Sequence, residues 1–111
     1  MIYLATPYTD PDPAVMEARF DLACRIAGYL MARGHVVFSP IAHSHPIAVR
    51  CELPRGWEFW EQQDAWMIDS ASELVVAKMR GWERSKGITK EIEIAHGCGV
   101  PVRYMEVPDG M

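Results

Sequence analysis

Short apolar runs alternate with long amphipathic stretches along this chain, and that order leaves few folds open. Ile2-Tyr3-Leu4-Ala5 reads as a buried strand that stops at Thr6-Pro7, where proline ends strand pairing. A loop over 8–12 follows. Asp12-Pro13 then supplies an N-cap and a favoured first helical residue, and Met16, Phe20, Ala23, Ala27 and Leu30 recur at spacings of three and four. Gly34 closes this amphipathic helix, and His35-Val36-Val37-Phe38 forms a second strand ending at Ser39-Pro40. A long helix between two short apolar strands calls for a right-handed parallel crossover.

The stretch 40–54, which holds His43, His45, Pro46 and Arg50, is the least regular and is expected to wander over one rim. Helical spacing resumes from Gly56 to Ser70, with Trp57, Trp60, Ala65, Met67 and Ile68 on the apolar side. Leu74-Val75-Val76-Ala77 is the third strand. Ser85 or Thr89 opens a last helix through Ile88, Ile92 and Ala95 to Gly97, and residues 100–104 return as an edge strand that tolerates Pro101. The expected fold is a single α/β domain, flavodoxin-like or Rossmann-like. It has an open parallel sheet of four to five strands with helices on both faces and ligands at the carboxyl ends of the strands.

With 111 residues there is room for one thin core, and a hydrophobic content of 50% with four tryptophans implies a face that a partner subunit covers. The net charge of −4, without a basic stripe, argues against a nucleic acid polymer as partner. Cys24, Cys51 and Cys98 are odd in number and widely spaced, so neither a disulfide framework nor a zinc finger is expected. No stretch reaches membrane-spanning length and residues 1–5 are too short for a signal peptide, so a cytoplasmic location is expected.

Two carboxylates stand out. Trp57, Trp60, Asp64 and Ile68 follow one another at three and four, which puts Asp64 on the apolar stripe facing the sheet. A buried acid needs a partner or a purpose, and a bond to a backbone amide at the stripe's edge is the plainer alternative. Glu91 neighbours the Ile88 and Ile92 stripe and is offset from outward-facing Glu93 by about half a helical turn. A first-turn glutamate that complements the helix dipole would explain it equally. Ahead of it, Ser85-x-Gly87 offers a hydroxyl, unhindered amides and a positive dipole end, the combination that receives an anion.

Taken together, Ile2-Tyr3-Leu4-Ala5, the Asp64 helix running into Leu74-Val75-Val76-Ala77, and Ser85-x-Gly87-x-x-x-Glu91 ending at Gly99-x-Pro101 resemble the nucleoside 2-deoxyribosyltransferase family. The likeness is nearest to its small members, which include deoxynucleoside 5'-monophosphate N-glycosidases. It implies that Glu91 attacks the anomeric carbon of a deoxyribose, that Asp64 assists the leaving base, and that Tyr3 steadies Glu91. It also implies that Ser85 and Gly87 hold a 5'-phosphate. Thr6 and Thr9 stand where the monophosphate branch has a glycine and an arginine, and Ser72 where relatives have an aspartate.

Two acids suit this chemistry, because one stabilises or captures an oxocarbenium-like centre while the other protonates the leaving base. Thr6, His43 and His45 are further candidates for substrate contact. His43-x-His45 lacks a convincingly spaced third ligand, so no metal and no cofactor is expected. Trp57 and Trp60 suit either core packing or base stacking, and Lys78, Arg80, Arg84 and Lys86 flank the anion end. The expected partner is a small nucleoside or nucleotide, bound by a homodimer or homotetramer. A nucleotide-binding module without turnover is the competing expectation.

Overall fold

A computed structural model describes all residues, Met1–Met111. In chain order the elements are β1 (Ile2–Ala5), α1 (Pro13–Ala32), β2 (Val37–Phe38), α2 (Pro40–Cys51), α3 (Trp57–Asp69), β3 (Glu73–Ala77), a 3-10 turn (Trp82–Arg84), α4 (Lys86–Cys98) and β4 (Val102–Met105). All strand pairings are parallel, in the order β2-β1-β3-β4. The chain leaves β1 to one side for β2, then returns across β1 to β3. The direction of winding therefore reverses between β1 and β3, and it is outside such a reversal that α/β sheets bind ligands.

Strand alternation divides the interior into two layers. Ile2 and Leu4 of β1, with Val75 and Ala77 of β3, point to Ile26 and Ala27 of α1. Tyr3, Ala5, Leu74 and Val76 point the other way, to Ile68 of α3 and to Ile88 and Ala95 of α4. Both central strands are thus covered on both faces, which is why they read as unbroken apolar runs. β4 is half exposed at the sheet edge, and it starts at Val102 rather than the expected 100, with Pro101 just ahead of the strand.

Helix ends follow local chemistry. The Asp12 carboxylate accepts from the Ala14 amide at 2.9 Å and Pro13 takes the first helical position. At the other end of α1, the amides of Gly34 and His35 bond back to the Met31 and Leu30 carbonyls, at 3.0 and 3.2 Å. His35 is used up in closing the helix, so the second strand is shorter than the expected 35–38 and holds only Val37 and Phe38.

The stretch 40–54 is a correction. Residues 40–51 form α2 rather than a wandering loop. The Ser39 hydroxyl accepts from the Ala42 amide at 3.1 Å, and Pro40 sits at the helix start where its missing N–H costs nothing. The interior Pro46 obscures a helix that α1 holds in place by packing. Among large apolar side chains, Phe59 and Trp66 on the outer face of α3 remain exposed, Trp66 by 73%. No helix is long and apolar enough to cross a membrane.

Candidate active site

A cavity of about 590 Å³ opens at the carboxyl ends of β1 and β3, a volume suited to a nucleotide-sized ligand. Its walls come from the loop after β1, from α2 and α3, and from the 3-10 turn leading into α4.

Asp64 and Glu91 both line this cavity, and both are nearly sealed from solvent, 6% and 5% exposed. Asp64 reaches it because the three-and-four stripe of α3 turns that face inward. One of its carboxyl oxygens, Oδ1, has no hydrogen-bond partner, so the amide-bonded alternative does not account for it. Glu91 lies six positions after the Ser85 N-cap, beyond the first turn of α4. The helix dipole falls off within that turn and does not explain a buried glutamate there. The Tyr3 hydroxyl, fully buried on β1, donates to Glu91 Oε2.

Loss of water governs the titration of both acids. Burial pushes Asp64 up to about 7. Burial also pushes Glu91 up to about 8, opposed by the Tyr3 hydrogen bond and reinforced by the neighbouring Asp64 charge. The Asp64 charge raises Glu91, so the two titrate as an interacting pair in which Asp64 gives up its proton first. Tyr3 is raised well above 10, first by burial and then by the Glu91 charge, so it remains a donor. Strongly perturbed acids in one cleft mark a candidate catalytic centre.

The start of α4 forms a cationic end of the cavity. Ser85 caps α4 by accepting from the Ile88 amide at 3.2 Å, which leaves its own O–H free to donate. The amides of Lys86 and Gly87, at the helix start, have no intrahelical acceptor. Arg19, Arg84 and Lys86 line the same end. Arg19 holds the loop after β1, donating to the carbonyls of Thr9 at 3.0 Å and Tyr8 at 3.4 Å. Its guanidinium lies against Gly81, where a Cβ would stand 2.9 Å from Nη2, and Gly81 also needs its φ of +91°. A cation thus stands beside the position where Thr9 replaced an expected arginine.

The other candidates divide. Thr6 lines the cavity with a buried, unpartnered Oγ1, and Trp57 does so with an unpartnered indole N–H. Trp60 shares that wall, its N–H donating to the Pro54 carbonyl at 2.7 Å. His45 lines the cavity, whereas His43 is exposed and does not. Two residues apart on a helix means about 200° apart around its axis, so α2 separates a pair that a loop would have left together. No cluster of three His, Cys, Asp or Glu side chains gathers as a metal site. Tyr8, Arg19 and Arg55 line the cavity without having been singled out in the sequence. For Arg19 the one available signal was its place on the border of the α1 stripe, beside Phe20.

Fold and cavity together define a flavodoxin-like α/β protein with a buried acid pair at the topological reversal of its sheet. Residues 1–107 match the family model described as domain of unknown function DUF1937, and the chain belongs to that family. The description assigns no activity. No curated protein matches the sequence.

Proposed function

We propose that this chain cleaves or exchanges the N-glycosidic bond of a deoxynucleoside or, preferably, its 5'-monophosphate. The carrying observation is the pair of buried acids, Asp64 and Glu91, on different helices of one nucleotide-sized cavity. The cationic end beside Ser85 and Gly87 supports an anionic group on the ligand.

In the proposed reaction a Glu91 carboxylate oxygen attacks the anomeric carbon while the bond from that carbon to the base nitrogen breaks. The bonding pair goes to the nitrogen, which takes the proton from Asp64. Because Glu91 is the more strongly raised of the two, its proton passes to Asp64 as positive charge develops on the sugar, and the Tyr3 O–H steadies the negative charge left on Glu91. Water or a second base then attacks the same carbon, freeing Glu91 and returning a proton to Asp64. Thr6 and Trp57 supply polar groups that lack protein partners, and Trp60 adds an aromatic wall for the base. The exposed Phe59 and Trp66 support a homodimer or homotetramer.

Incubation with a panel of deoxynucleosides and their 5'-monophosphates, followed by chromatography for free base, tests the reading. Base release that Glu91→Gln abolishes is the expected result. Binding without release in the wild-type chain would replace the enzyme with a nucleotide-binding module.

A further inference from the structure

On the α1–α2 side of the cavity lies a second hydrogen-bonded system that the acid pair does not use. His45, 6% exposed, is stacked on Phe20 with ring centroids 4.3 Å apart and stands edge-on to Tyr8. Its Nε2 is 2.8 Å from Glu17 Oε2, and its Nδ1 is hydrogen-bonded to the Tyr8 hydroxyl. Glu17 is on the outer side of α1 and Tyr8 is on the cavity wall.

These two hydrogen bonds have one consistent proton arrangement for a neutral ring. A carboxylate only accepts, so Nε2 carries the ring proton. Nδ1 is then a lone pair, and the Tyr8 O–H must donate to it. With its only proton committed, the Tyr8 oxygen presents lone pairs alone to the cavity. Arg55, which only donates, lines the same cavity. Burial raises Tyr8 above its ordinary 10, which keeps the phenol protonated in this role.

We propose that Glu17 and His45 are positioning residues that fix Tyr8 as an obligate acceptor, and that Tyr8 thereby selects a ligand carrying a hydroxyl donor. The identity of that hydroxyl rests on the function proposed above. In a 2'-deoxynucleoside 5'-monophosphate the 3'-hydroxyl is the one donor on the sugar, and it is the group assigned to Tyr8. A fluorine or ether oxygen in its place sets lone pairs against lone pairs and leaves Tyr8 unsatisfied.

Two measurements test this. The first needs no ligand: two-bond nitrogen–proton NMR on chain labelled with nitrogen-15 histidine, with His45→Asn identifying the His45 signal, reads the tautomer directly. The Nε2–H form is expected in the wild type, with a shift toward Nδ1–H in Glu17→Gln; an Nδ1–H wild-type ring overturns the proposal. The second is calorimetric binding of a deoxynucleoside 5'-monophosphate and its 3'-fluoro counterpart, which matches it in size. Fluorine should weaken binding about tenfold in the wild type and less than about threefold in Tyr8→Phe or Glu17→Gln. An equal penalty in all three chains overturns the selection by Tyr8. Failure of both nucleotides to bind beside an Nε2–H ring overturns the 3'-hydroxyl assignment together with the proposed function, and is told apart by the intact tautomer.

Discussion

The Tyr3 hydroxyl donates a hydrogen bond to Glu91 across 88 positions of sequence, joining the first strand to the last helix inside the core. Because burial disfavours the charged carboxylate, this bond is the one protein contact that favours the ionised form of Glu91. Tyr3→Phe leaves the packing of the ring intact and removes the donor. The variant should lose about 10- to 100-fold in kcat/KM, and the acidic limb of its pH profile should move to higher pH. Unchanged kinetics would mean that Tyr3 serves only the core.

The acid pair sets the pH dependence of base release. With Asp64 near 7 and Glu91 near 8, activity should rise as the pair loses its first proton and fall as it loses the second. A bell centred between about pH 7 and 8 is expected in kcat/KM. Asp64→Asn should cost about 10²- to 10⁴-fold and abolish the alkaline limb. A wild-type profile that stays flat from pH 5 to 9 would remove the pair from the chemistry.

The same acids make stability depend on pH. In an unfolded chain both carboxyls titrate near pH 4, so between about pH 4 and 8 the folded state holds more protons than the unfolded one. Stability is therefore greatest at the acid end of that window and falls as pH rises through 7 to 8. Calorimetry should show Tm dropping between pH 5 and pH 8, and Asp64→Asn should raise Tm at pH 8 by about 5 °C while activity is lost. A destabilised Asp64→Asn at pH 8 would contradict a desolvated charge at that position.

Arg19 stands at the cationic end through its contact with Gly81. Arg19→Ala should reduce kcat/KM for a deoxynucleoside 5'-monophosphate about 10- to 100-fold, with a much smaller effect on the unphosphorylated nucleoside. Raising the salt concentration should narrow the wild-type preference for the monophosphate. Equal losses on both substrates would show that Arg19 holds the loop after β1 and does not meet the phosphate.

Much of the frame was legible because it rests on local periodicity. Ile2-Tyr3-Leu4-Ala5 and Leu74-Val75-Val76-Ala77 announced doubly covered strands, and the spacing from Trp57 to Ile68 was enough to turn Asp64 inward. α2 was hidden by Pro46 and by histidines that suggested a rim loop, although Ser39-Pro40 carried a cap signature. Its absence from the sequence reading kept His43 beside His45, where helical geometry parts them.

The sequence by itself determined the order of the strands and of α1, α3 and α4, the inward side of each, and Asp64 and Glu91 as acids out of place, since these follow from spacing within a few turns of backbone. Tertiary structure decided that Tyr3 meets Glu91, which the spacing of residues did not show and only the family resemblance implied, that Arg19 crosses to Gly81, and that Tyr8, His45 and Glu17 share protons. Such contacts depend on how elements far apart in the chain cross at the end of a parallel sheet. No local pattern encodes which side chains that crossing brings within hydrogen-bond distance.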